Sequence, residues 1–107
     1  MLLISCDLST SAPGEAYRDT SNLVLTHHVK CRMACRQISL VEIKQILADG
    51  KLNPSKSGKG SEGDDTYALE GVSSDRQNIR VVVAPEDNGL VVITCIDLDK
   101  EWPCNCK

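Results

Sequence analysis

Ile79-Arg80-Val81-Val82-Val83-Ala84-Pro85-Glu86-Asp87-Asn88-Gly89-Leu90-Val91-Val92-Ile93-Thr94-Cys95-Ile96 is the stretch that decides the fold class. Two runs rich in β-branched residues, 79–84 and 90–96, flank Pro85 to Gly89, a five-residue turn ending in Asn-Gly, and this predicts a β-hairpin. Residues 66–72 supply a third strand. Upstream the period changes. Thr26 can cap a helix from His27 to about Arg36 through its side-chain oxygen. Ser39-Leu40-Val41-Glu42 is a capping box that opens a second helix. Leu40, Ile43, Ile46 and Leu47 form that helix's apolar stripe, and Gly50, free to take a positive φ, closes it. Helices followed by strands predict an α+β domain: two N-terminal helices packed on a small antiparallel sheet of three to four strands.

The 107 residues are one domain's worth. We expect residues 1–21 to be a loosely ordered leader with a short strand at Leu2–Ile4, residues 22–98 to form the domain, and residues 99–107 to be a cysteine-containing tail. Residues 53–65, with three Gly, three Ser and no apolar side chain, read as a flexible loop. Its Gly58-Lys59-Gly60-Ser61 lacks the spacing of a phosphate-binding loop. No apolar run approaches the length of a membrane span, so no membrane partner is expected and the cytoplasm is the expected compartment. Only Tyr17, Tyr67 and Trp102 are aromatic, which argues against a broad base-stacking platform. The net charge of −3 gives no overall attraction for a polyanion. Between Asp19 and Glu42, however, there is no acid, while Lys30, Arg32 and Arg36 make that segment locally basic, as a local anionic ligand would require.

His28, Arg32 and Arg36 are spaced by four, so on a helix they form one row that drifts about 40° per step. Two guanidiniums this close repel by a few tenths of a kcal/mol, roughly, unless an anion sits between them. Phosphate suits the position because Arg binds it in planar, bidentate fashion. A sheet carboxylate, Asp97 or Glu70, would serve as well. His28 falls in the first turn, where the helix's positive end and Arg32 both disfavour imidazolium. A neutral imidazole beside two arginines suits RNA cleavage by attack of a 2′-hydroxyl on the adjacent phosphorus. The His takes the proton and the arginines stabilise the phosphoryl charge, with no cofactor required.

Thr26-His27-His28-Val29-Lys30-Cys31-Arg32-Met33-Ala34-Cys35-Arg36-Gln37-Ile38-Ser39 resembles the T-x-H-A-x-x-R-M-x-x-R-x-I-S signature of a bacterial domain-of-unknown-function family. The resemblance runs over about residues 23–97, and that family is in turn similar to RelE-like and barnase-like ribonuclease toxins. It implies a small toxin-type nuclease fold, with RNA as the substrate and a neutralising antitoxin protein as a partner. His28, Arg32 and Arg36 match the motif's polar positions, and Thr94 matches the Thr that ends its last strand. Val29 in place of Ala, the long 53–65 segment and the cysteines depart from the pattern.

His27, Cys31 and Cys35 form a second row, about 100° round the helix from the first. Cys31 with Cys35 makes a poor local disulfide, and a Cys104–Cys106 bridge is similarly strained. Thiolates one turn apart can share a metal ion, so Cys31, Cys35, Cys104 and Cys106 together suggest a structural zinc site that pins the tail to the first helix, with His27 able to replace one thiolate. Small buried hydrophobes at Cys31, Cys35 and Cys95 are the plainer reading. The rival to an RNA-cleaving enzyme is therefore a non-catalytic interaction module with a structural zinc.

Overall fold

The computed structural model describes residues 13–59 and 63–106. Its elements in chain order are β1 (Leu23–Leu25), α1 (His27–Arg36), α2 (Leu40–Asp49), β2 (Lys51–Leu52), β3 (Gly58–Lys59), β4 (Asp65–Val72), β5 (Asn78–Glu86) and β6 (Gly89–Asp97), with 3-10 turns at Pro13–Arg18 and Pro54–Lys56. Six strands make one sheet in the order β1-β6-β5-β4-β2, and β3 also pairs with β4. Pairing is antiparallel except between β1 and β6, where Leu23 to Leu25 run parallel to Leu90 to Val92.

This overturns the expected architecture of two helices on a small antiparallel sheet of three to four strands. The sheet has six strands, it is mixed, and strand is the prevailing structure. The additional strands are two or three residues long, too short to carry a two-residue period. Two of them fall in or beside the segment read as a flexible loop: Asn53 caps a 3-10 turn, and Gly58–Lys59 then pairs with Asp65–Thr66. The hairpin turn is also tighter than read. Glu86 pairs with Gly89, leaving Asp87–Asn88 as the turn, and Gly89 takes φ 136°. An expected strand at Leu2–Ile4 lies outside the described residues.

The helices form where their caps allow. Thr26 accepts the amide of Val29, and Ser39 and Glu42 form the complete capping box. Gly50 does close α2, though with φ −71°. It is required because a Cβ there would collide with the carbonyls of Ile46 and Glu70. One face of the sheet, through Leu69, Ile79, Val81, Val83, Val92 and Cys95, packs on Val29, Ile43, Ile46 and Leu47 of the helices. Leu40, expected in that stripe, is 39% exposed at the helix start. From Pro13 onward the leader is docked: Tyr17 is buried and stacks on Tyr67, and Arg18 donates to the carbonyls of Leu47 and Ala48 at the end of α2.

Candidate functional site

Parallel β1 covers β6 only as far as Val92, so from Ile93 onward that edge of β6 has no strand beside it among the described residues. Helix α1 lies there. Arg36 Nη1 donates to the Cys95 carbonyl at 2.6 Å, satisfying an edge acceptor that a longer β1 would have taken. One turn back, Arg32 Nε donates to His28 Nε2 at 2.5 Å. Accepting this bond uses the lone pair of Nε2. All three side chains are half-buried and reach solvent.

Asp97 and Glu70, the acids that could have served the arginines in place of a phosphate, are occupied elsewhere. Asp97 accepts from the Trp102 indole, the Gln77 amide group and the backbone of Asp99 and Lys100. Burial alone would raise its carboxyl, but these donors outweigh it and hold it below the ordinary value. Glu70 pairs with Arg80 at 2.7 Å and accepts from Asn53, which hold its carboxyl low as well. Among the described residues, no carboxylate forms an ion pair with Arg32 or Arg36. The two guanidiniums stand on one helix face with a histidine and a carbonyl as their partners.

The structure brings His28, Arg32 and Arg36 together and separates Thr94 from them. Thr94 pairs with Val82, and its buried neighbour Cys95 pairs with Val81 in the core, so Thr94 stands on the sheet face away from the helices. Cys95 itself is a free thiol beneath the arginines. Burial pushes it up to about 11 against the opposing pull of the Arg36 and Arg32 charges, so it is an un-ionised core residue and no nucleophile.

Cys31, Cys35, Cys104 and Cys106 also converge, as two disulfides: Cys31–Cys106 and Cys35–Cys104. In this bonded state they offer no thiolate. Among the described residues, no group of three or more His, Cys, Asp or Glu side chains is placed to hold a metal. His27 is exposed at the start of the same row. The expected pinning of the tail to α1 is therefore covalent. Its signal lay in the spacing. Four residues of helix rise about 6 Å and two residues of extended chain about 6.6 Å, so C-x-x-x-C on one and C-x-C on the other form two matched rungs when the segments run antiparallel. Reading each pair by itself hides this match.

The clamped tail supplies two further groups that sequence reasoning passed over. Lys100 Nζ lies 3.8 Å from the centre of the Trp102 ring, and both residues line a surface pocket of about 410 Å³ with Arg36, Ile96 and Asp97. The Arg36 end of the row thus borders a pocket that also holds Lys100, Glu101 and the Trp102 ring, and nothing in the tail's composition marked that placement.

Residues 25–97 match the family described as "Domain of unknown function (DUF4258)", and the chain belongs to that family. No curated protein and no solved structure matches the chain. The matched segment starts beside Thr26 and ends at Asp97, so it holds α1 and the whole of the β6 edge and omits the tail that completes the clamp. No helix among the described residues is long and apolar enough to cross a membrane.

Proposed function

We propose that the α1 face carrying His28, Arg32 and Arg36 binds and cleaves RNA phosphodiesters without a metal. The observation that carries this reading is a pair of guanidiniums that no carboxylate pairs with among the described residues, beside an imidazole whose Nε2 accepts from Arg32, all half-exposed. An arriving phosphate is a better partner for Arg32 than an imidazole is, because the charge-assisted pair is the stronger bond. As Arg32 turns to the phosphate it releases the His28 Nε2 lone pair, which then accepts the 2′-hydroxyl proton. The oxygen attacks the adjacent phosphorus, the bond from phosphorus to the 5′-oxygen breaks, that oxygen leaves with a proton taken from water, and Arg32 stabilises the charge growing on the phosphoryl oxygens. Arg36, tied to the Cys95 carbonyl, keeps other donors for the same anion. The resemblance of the family to ribonuclease toxins, read from the sequence, suggests this chemistry and an antitoxin partner. Thr94, on the opposite face, takes no part. Two disulfides also favour an oxidising compartment over the cytoplasm.

The test is incubation of oxidised protein with mixed RNA in EDTA. Wild type should leave 2′,3′-cyclic phosphate ends. His28→Ala should lower the rate by about 10²- to 10⁴-fold and Arg32→Ala by about 10²- to 10³-fold, with Thr94→Ala unchanged. Unaltered cleavage by His28→Ala would sink the assignment. An inert wild type would favour the interaction-module reading, which a groove of about 610 Å³ walled by Leu25, Met33, Ala34 and Ile38 supports.

A further inference from the structure

We infer that the cysteine clamp has a second bonded state: on reduction, Cys31, Cys35, Cys104 and Cys106 become the four ligands of one tetrahedral Zn²⁺ ion. The inference stands apart from the RNA reading and rests on placement. Each rung brings its two Cα atoms to 5.8 Å. Helix α1 keeps Cys31 and Cys35 one turn apart on one side. In the tail, Cys104 and Cys106 are half-buried while Asn105 between them is exposed, so both face the helix. A tetrathiolate zinc has Zn–S bonds of about 2.3 Å and sulfurs about 3.8 Å apart, within reach of side-chain rotation from this arrangement.

Breaking the disulfides does not free the tail. Leu98 N donates to the Asn78 carbonyl, Trp102 Nε1 to Asp97 at 3.0 Å, and Cys104 N to the Trp102 carbonyl. These bonds anchor the chain two residues before Cys104, so the released thiols stay at high effective concentration over α1. The surroundings suit thiolates as well. Lys30, Arg32 and Arg36 on the helix and Lys100 in the tail provide positive charge, and Asp97, at the end of β6, is engaged by its own donors. Glu101 is exposed. A dithiol reductant supplies two electrons and two protons to each disulfide and leaves as its own disulfide. Zn²⁺ then displaces four thiol protons and forms a site of net charge −2. Four soft sulfur donors in a tetrahedron select zinc among the common divalent ions.

The experiment uses the full chain, reduced anaerobically with a phosphine that is removed before Zn²⁺ or Co²⁺ is titrated in. About one ion per chain should bind, with Co²⁺ showing the visible absorption of a tetrahedral thiolate site. Zinc should protect Cys31, Cys35, Cys104 and Cys106 from alkylation. Oxidised glutathione should then expel the ion and restore both disulfides. Cys104→Ser/Cys106→Ser should lose binding, and Cys6→Ser should keep it. The reduced metal-free wild type is the matched control for the double variant, because neither has a disulfide, and the alkylation pattern reads the wild type without any variant. Substoichiometric binding, equal alkylation with and without zinc, or binding that survives Cys104→Ser/Cys106→Ser would overturn the inference.

Discussion

The β4–β5–β6 sheet with α2 and the α1–tail face are held together by different physics. In the first, Leu69, Ile79, Val81 and Val83 lock against Ile43 and Leu47, all completely buried, and a complete capping box starts the helix. In the second, α1 buries only Val29 fully, and the tail has no regular secondary structure. Besides Val29, hydrogen bonds join that face to the sheet, from Arg36 to the Cys95 carbonyl, Gln77 to the Arg36 carbonyl, Trp102 to Asp97 and Leu98 to Asn78, and two disulfides tie the tail to α1. A face that leaves Arg32, Arg36 and His28 half-exposed buries less apolar surface, so more of its order comes from hydrogen bonds and cross-links.

The sharpest way to break this comparison is to remove the cross-links. The rungs span 75 and 69 residues of chain, and closing even one loop of that size removes unfolded-state entropy worth about 4 kcal/mol, so reducing both should cost at least about that much. Urea unfolding of oxidised and reduced, metal-free protein should show that loss. A difference below about 1 kcal/mol would mean that the tail is a passenger and that α1 is held by packing, which the bonded picture denies. Leu47→Ala asks the converse question of the other region. Its side chain is completely buried, so truncation should cost about 3 kcal/mol. The cost should be the same in oxidised and reduced protein, because Leu47 lies among residues that the clamp does not touch. A cost that depends on redox state would show the two regions to be coupled.

The two regions also differ in how far the sequence disclosed them. Both helices appear with their stated caps because Thr26 acts on Val29, and Ser39 and Glu42 act on each other, each across three residues, and such local chemistry is written locally. The long hairpin follows from two runs of β-branched residues. The sheet's size was not legible: β1, β2 and β3 exist because β6 and β4 offer them edges, and no two- or three-residue string records that offer. At the site, the spacing of His28, Arg32 and Arg36 disclosed their shared face. Their partners stayed hidden, since the Cys95 carbonyl and the opposite-facing Thr94 depend on where β1 stops and where β6 lies. Cys31 and Cys35 could be paired with Cys106 and Cys104 only by comparing helical rise with extended rise, which requires knowing that the tail returns antiparallel along α1.

The smallest effect concerns Glu42, where the better-packed region depends on a charge. Its carboxylate is 2% exposed, accepts the Ser39 amide at 2.9 Å and the Ser73 hydroxyl at 2.6 Å, and joins α2 to the β4–β5 turn. Burial alone would raise its carboxyl, but the Ser73 and Ser39 donors prevail and hold it below the ordinary value. A group depressed on folding stabilises the fold fully above its unfolded value and loses that contribution as pH falls through the folded one. Glu42→Gln keeps the shape and one acceptor oxygen while removing the charge, so it should cost about 1 kcal/mol at neutral pH. The gap between variant and wild type should then close as urea unfolding is repeated toward acid pH. A gap that stays constant with pH would assign the cost to packing at the α2 start, and both regions would then differ in burial alone.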